Sequence, residues 1–290
     1  MNEIALDTSL PPSAQPSSKV HLVLDSSEPM WRLGLGDLWE SRELLAFLTW
    51  RDLRVRYRQT VLGATWAIIQ PLTAMVLFTF VFGRLAKLPS DGIPYPIFTY
   101  VALLPWTLFS GALTRVTGSV VGSGNLLTKV YFPRVVIPVS GLASSLIDFL
   151  AGFLILVLMM LWYGIAPGWH ALALPFLLLL ALGSALGIGL WLAALNVRYR
   201  DITYVVPFIV QVWMYASPVG YSSTLVPAEW QWAYGLNPLV GVIEGFRWAL
   251  LGGSWYPGVP LVISTGVMCL LLGSGLVYFR RMEASFADII

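Results

Sequence analysis

An all-α polytopic membrane protein is the fold class this chain predicts, and three observations carry it. Hydrophobic residues make up 57% of the 290 and charged residues only 11%, against about 25% charged in an ordinary globular domain. Too few polar groups remain to cover a soluble surface. Uncharged apolar segments of about 18 residues or more recur along the chain, the mark of spanning helices. Arginines also crowd the entrance to the first such segment: RDLRVRYRQTVLGATWAIIQP holds Arg51, Arg54, Arg56 and Arg58 and then no charge until Arg84.

The charge gaps predict six spans, at about 64–82, 97–120, 138–162, 172–195, 203–221 and 259–279. At about 1.5 Å per helical residue each is long enough to cross a hydrocarbon core of about 30 Å with some tilt. Lysines and arginines set the orientation. With the amino terminus inside, 14 of the 17 fall on inner segments, and only Arg84, Lys87 and Arg247 face outward. Both termini are therefore expected in the cytoplasm, and the four opening arginines at the inner end of the first span.

The flanks are of different material. Residues 1–35 begin MNEIALDTSLPPSAQPSSKV, rich in Ser and Pro, with neither a basic start nor an apolar run. That argues against a cleavable signal peptide and for a disordered cytoplasmic tail. Residues 36–60 turn helical, with Asp37 as the expected N-cap. Leu44, Phe47, Leu48 and Val55 share one arc, with Arg51 and Arg58 close to it. This suits an interfacial helix whose arginines snorkel; a plain cytoplasmic stub is the other reading. The transmembrane domain then runs over 61–281, and 282–290 are a short cytoplasmic tail.

Several chemistries are excluded. None of Lys19, Lys87 and Lys129 follows a Gly, so there is no P-loop. The only histidines are His21 and His170, and Cys269 is single, so metal sites, nucleophilic dyads and disulfides are not expected. No catalytic residue, metal or cofactor is assigned to this chain, and nothing points to nucleic acid. Asp148 is the one acid placed well inside a span. It is either the relay of a proton-coupled carrier or a structural acid bonded to Ser144, Ser145 or another span. A membrane-embedded transferase would need paired acids or an acidic metal motif, which the sequence lacks.

Two segments interrupt the span pattern. SVVGSGNLLTKVYFPRVVIP, from residue 119, carries apolar Leu126, Leu127, Val130, Tyr131 and Phe132 before a stop at Pro133. An apolar helix exposed in the cytoplasm is costly unless it meets a partner or folds back on its own bundle. The second, 224–250, is too broken by Pro227, Asn237-Pro238, Gly241 and Gly245 for a further full span. It is expected as a re-entrant pair of outer half-helices, with Glu244 and Arg247 paired at i and i+3. Ten aromatics fall between Trp213 and Tyr256. They form an interfacial belt, or some line a conduit for sugars, whose C–H faces suit aromatic rings.

Taken together, RDLRVRYRQTVLGATWAIIQPL, LLPWTLFSGALTRVTGSVVGSGNLLTKVYFPRVVIPVSGLASSLIDF, NVRYRDI and LNPLVGVIEGFRW resemble the permease subunits of ABC-type polysaccharide exporters, the family that moves O-antigen, teichoic acid and related lipid-linked polymers. The likeness covers 51 to about 250. It implies a homodimer of six-span permeases in the bacterial inner membrane, docked on two copies of a separate ATPase that binds the ATP and Mg. By position, 124–134 is the coupling helix, with Leu126, Leu127, Tyr131, Phe132 and Pro133 as its apolar part and Lys129 and Arg134 as rim charges. Leu62-Gly63 matches a short loop at the inner mouth, and 224–250 the outer gate, with Asn237, Pro238, Glu244 and Arg247.

The mechanism implied is that a polymer on a polyprenyl (undecaprenyl) diphosphate reaches the inner leaflet, where its head is attracted to Arg51, Arg54, Arg56 and Arg58. Each such charge is worth about 1 kcal/mol near a membrane surface; the same arginines also anchor topology. The polymer then threads past aromatics, with Trp106, Trp213, Tyr215 and Tyr221 as candidates. A stand-alone carrier using Asp148 is the alternative.

Overall fold

The computed structural model describes residues 35–58, 63–127, 132–252 and 257–289. Among these every regular element is helical. In chain order they are α1 (Leu35–Glu40), α2 (Arg42–Tyr57), α3 (Trp66–Phe78), α4 (Tyr95–Gly122), α5 (Gly124–Leu127), α6 (Val136–Trp162), α7 (Leu174–Arg198), α8 (Ile202–Tyr215), α9 (Gln231–Tyr234), α10 (Pro238–Leu251) and α11 (Gly258–Ile289). A π-helical stretch, Thr79–Leu85, prolongs α3, and a 3-10 turn, Trp169–Ala173, leads into α7.

Five stretches are long and apolar enough to cross a membrane: Trp66–Leu85, Tyr95–Gly122, Val136–Trp162, Trp169–Arg198 and Gly258–Glu283. The expected sixth is shorter than its charge gap. The 203–221 segment forms a helix of only 14 residues ending at Tyr215, about 21 Å at the helical rise. Pro218 explains the stop, because proline disfavours helical backbone at the residue before it. The expected pair of half-helices also changes form. Before Asn237 the chain makes only short turns and the four-residue α9, and α10 is the single substantial helix of that region.

α4 is the axis of the packing. It is buried on all sides near its start, including Phe98, Tyr100, Val101 and Phe109, and packs against α3, α6, α7 and α10. A helix apolar all round belongs in such a place. α10 is likewise buried, against α4, α7 and α11. The outward faces of α6 and α8 carry Leu150, Leu154, Leu158 and Trp162, and Tyr204, Phe208 and Val212, as suits contact with lipid.

The imperfect amphipathic pattern before Arg58 has a structural cause. α2 turns Leu44, Leu45 and Leu48 into the bundle and leaves Phe47, Trp50 and Val55 exposed on its other side, so both faces are partly apolar. Asp37, expected at the N-cap, lies two residues inside α1, which begins at Leu35. At the far end of the chain, 282–289 is no separate tail but the last turns of α11, with Phe286 buried against Phe279.

Where α7 meets α11 the backbones touch. A Cβ added at Gly275 would lie 2.3 Å from the Gly187 carbonyl oxygen, and one at Gly187 2.6 Å from the Leu272 nitrogen. Small residues permit this close approach, which holds helices together in lipid by packing. Two residues from Gly275, Gly273 faces open space. Gly275→Ala is therefore expected to destabilise the purified chain by about 1–3 kcal/mol, as overpacking does, whereas Gly273→Ala leaves it unchanged or slightly more stable. Thermal unfolding in detergent compares the two; equal melting would show that the seam is not close-packed.

Candidate functional site

Asp148, on α6, is where partly buried charge converges. Its Oδ2 accepts from Arg56 Nη1 at 2.7 Å and from Arg115 Nη2, and its Oδ1 accepts from Tyr57 Oη at 2.5 Å. The acid thus joins α2, α4 and α6. Arg115 Nη1 also donates to Ser145 Oγ, whose hydroxyl donates to the Gly141 carbonyl at 3.0 Å. Two glycines make room for this arginine: a Cβ at Gly111 would sit 3.2 Å from Arg115 Nη1, and one at Gly141 3.3 Å from Arg115 Cβ. On α2, outside the spanning segments, burial and then Asp148 push the Tyr57 phenol above its ordinary value, so it stays a donor.

The cluster lies below the helix ends. Arg115 stands seven residues before the end of α4 and Asp148 twelve residues into α6, about 10 Å and 18 Å along their axes. Two cavities of about 180 and 200 Å³ flank it and share Ala67, Gln70, Arg115 and Asp148. The first, between α3, α4 and α6, adds Thr107 and Ser110; the second, under α2, adds Arg56, Tyr57, Gly63 and Trp66. Ionisable groups at such depth mark functional sites or the pairs that tie helices together, and here the pairing is visible.

The opening arginines therefore separate into three kinds. Arg56 is paired with Asp148, Arg51 is paired at 2.9 Å with its neighbour Asp52, and Arg54 and Arg58 are exposed. Gly63 lines the second cavity; Leu62 lies outside the described residues. Of the expectations for Asp148, the bond to Ser145 is indirect, through Arg115, and Ser144 bonds the Gly141 carbonyl instead. Tyr57 and Gln70 were not singled out from sequence. Tyr57 stands between two arginines in RVRYRQ, and Gln70 is a lone amide in an apolar run, so both signals were present but unspecific.

A second ion pair, this one buried, lies at the other end of α4. Arg247 has no exposed surface; its Nη1 donates to Glu244 Oε1 at 3.2 Å and to the Tyr221 carbonyl at 3.1 Å, and its Nη2 to the Val219 carbonyl at 3.3 Å. The guanidinium also lies 3.8 Å from the Phe98 ring centre, a cation–π contact. The expected i, i+3 pair is thus present and holds the 216–222 loop against α4. Asn237 caps α10, its Oδ1 accepting from Leu239 N and Trp213 Nε1, both at 3.0 Å, with Pro238 following.

The aromatic candidates divide in the same way. Trp106 is 4% exposed, in a core with Phe109, and Trp213 packs edge-on against Phe109 while its indole nitrogen bonds Asn237. Tyr221 shares a 2.8 Å hydrogen bond with the Tyr234 hydroxyl. Tyr215 alone of the four is well exposed, at 58%.

In the 124–134 segment, α5 spans only four residues. Leu127 and Phe132 are buried against Val136, Phe279 and Phe286, with Leu126 and Pro133 partly buried. Arg134 bonds the Glu283 carbonyl and lies 4.0 Å from its carboxylate. Much of this segment is thus folded back on the chain's own bundle, and its charge at Arg134 is already partnered. Lys129 and Tyr131 lie outside the described residues.

Comparison with known proteins gives this geometry a family. The chain is 29% identical over 257 residues to the O-antigen export system permease protein RfbA of Myxococcus xanthus, covering 88% of this chain and 98% of that one. It is 27% identical over 253 residues to RfbA of Klebsiella pneumoniae, covering 86% and 95%. Polysialic acid transport protein KpsM of Escherichia coli is 27% identical over 241 residues, 80% of this chain and 91% of that one. Residues 43–251, from α2 through the last residue of α10, match the family model described as ABC-2 type transporter, and the chain belongs to that family of membrane permeases.

Proposed function

We propose that this chain is the channel-forming subunit of an ABC transporter that exports a polyprenyl-diphosphate-linked polysaccharide of the O-antigen type across the bacterial inner membrane. It works as a homodimer with both termini in the cytoplasm, and a separate ATPase binds and hydrolyses the ATP. The observation that carries this reading is the nearly end-to-end similarity to permeases named for O-antigen export. Asp148 is not the solitary acid that a stand-alone carrier would use, since two guanidiniums and a phenol surround it.

In this reading each step has a part that the geometry supports. α2 lies at the membrane surface with Phe47, Trp50 and Val55 exposed to lipid and Arg54 and Arg58 exposed beside them, so a lipid head and its tail are met together. Leu126, Lys129 and Tyr131 make the ATPase contact, on a segment that Leu127, Phe132 and Arg134 fasten to α6 and α11. At the outer end Asn237, Pro238, Glu244 and Arg247 close the path until the helices shift. Tyr215 and Tyr221 are the aromatics best placed for a passing sugar.

Disrupting the gene is expected to abolish surface polysaccharide and leave lipid-linked polymer at the inner leaflet, and the tagged chain to copurify with an ATPase. Unchanged surface polymer would overturn the export reading. Replacing Arg54 and Arg58 together by Lys keeps the charge but loses the planar fork that grips phosphate, so export is expected to fall severalfold at normal insertion; full export would leave these arginines an anchoring role only. Trp106→Ala is expected to cost about 3–5 kcal/mol as a core truncation, while Tyr215→Ala keeps wild-type stability and lowers export. Thermal unfolding beside an export assay distinguishes them, and full export by the Tyr215 variant would remove it from the path.

A further inference from the structure

We propose that Asp148 is a displaceable internal counter-ion, which occupies Arg56 and Arg115 until a phosphate group enters the cavities between α2, α3, α4 and α6 and takes its place. The inference rests on the export reading only for the source of that phosphate, a lipid diphosphate; the site is argued from its own geometry.

Charge is the first argument. Two guanidiniums face one carboxylate, and the third partner, Tyr57, is a neutral donor. Among the described residues the cluster keeps one surplus positive charge, on side chains that are only partly exposed, where an unanswered charge is costly. A tie made only to hold helices together is complete with one arginine and one acid.

Unused hydrogen-bonding capacity is the second. Each arginine gives Asp148 a single N–H, Arg56 through Nη1 and Arg115 through Nη2, and both converge on the same oxygen, Oδ2. Neither forms the two-pronged fork of which a guanidinium is capable. The geometry suits a larger anion with more oxygens, so that each fork has its own pair. A carboxylate with one charge and two oxygens is the weaker claimant against a diphosphate.

Room and lining are the third. The two cavities meet at Arg115 and Asp148, and their shared wall includes Gln70, an amide with no hydrogen bond among the described residues. Ser110 and Thr107 stand on the opposite wall. Gly111 and Gly141 clear the space in which the Arg115 side chain lies. Thr107 and Ser110 donate to their own helix, at the Leu104 and Thr107 carbonyls, so the exposed Gln70 amide and the two guanidiniums are the donors left for an anion's oxygens.

The test is binding to the purified full-length chain in detergent, with farnesyl diphosphate as a short lipid probe and inorganic pyrophosphate and farnesol beside it. Asp148→Asn removes the competing charge at nearly constant shape, and is expected to tighten farnesyl diphosphate binding about tenfold; Arg115→Gln is expected to weaken it about as much, and farnesol binding to change in neither. Binding by Asp148→Asn at or below wild-type affinity overturns the proposal. Should that variant fail to fold, Arg115→Lys keeps the charge against Asp148 and is expected to bind severalfold more weakly; wild-type affinity there overturns it equally. Pyrophosphate held as tightly as farnesyl diphosphate assigns the site to a soluble anion, and much weaker pyrophosphate binding assigns it to a lipid head. Because no ATPase takes part, the outcomes separate: loss of the export reading leaves a tightened Asp148→Asn standing, and an Asp148→Asn that does not tighten leaves export standing.

Discussion

An ionised side chain inside a bilayer has to find its partner within the protein, and in this chain that requirement joins segments far apart in sequence. Asp148 reaches Arg56 and Tyr57 across 92 and 91 residues and Arg115 across 33. Without it α2 would be held to the bundle chiefly by Leu44, Leu45 and Leu48, apolar contacts with no directional preference between protein and lipid. The polar tie fixes where the helix lies along its neighbours. At the other end Arg247 meets the same requirement by a different route, its two Nη atoms donating to Glu244 and two loop carbonyls while its Nε stays buried without a hydrogen-bond partner among the described residues.

The two ends differ in what they leave over. Glu244 and Arg247 balance in charge and are closed off from solvent, so their contacts read as a clamp on the 216–222 loop. Around Asp148 the positive charge is in excess and cavities stay open. One pair is balanced in charge and the other is not, and that imbalance is what allows an anionic ligand to compete with the protein's own groups.

Much of the fold was legible in the sequence because lipid imposes a simple rule, that long stretches without charge cross it. That rule located five long apolar helices and a shorter sixth, where the gap from Ile202 continues past Tyr215 although Pro218 stops the helix; hydropathy counts charges and does not see backbone breaks. The site was legible only in part. Asp148 stood out as the lone acid and the arginines as a cluster, but no local pattern says that Arg56 and not Arg54 turns inward, since both lie on α2 and the choice depends on where α6 runs. Leu127 and Phe132 show the same limit. An apolar residue at a helix junction looks identical whether it waits for another protein or for Phe279 and Phe286 of its own chain.

The glycine contact between α7 and α11 bears on how such a bundle is able to change shape. Where side chains separate two helices, one helix slides or rolls on the other as rotamers readjust. Between Gly187 and Gly275 no side chains intervene, so any rotation drives backbone into backbone. α7 and α11 therefore resist sliding past each other at this point. Since α11 also holds the 132–134 stretch through Glu283, Phe279 and Phe286, that stretch is tied to this close-packed pair, whereas irregular backbone lies elsewhere, in the π-helical end of α3 and the proline-shortened α8.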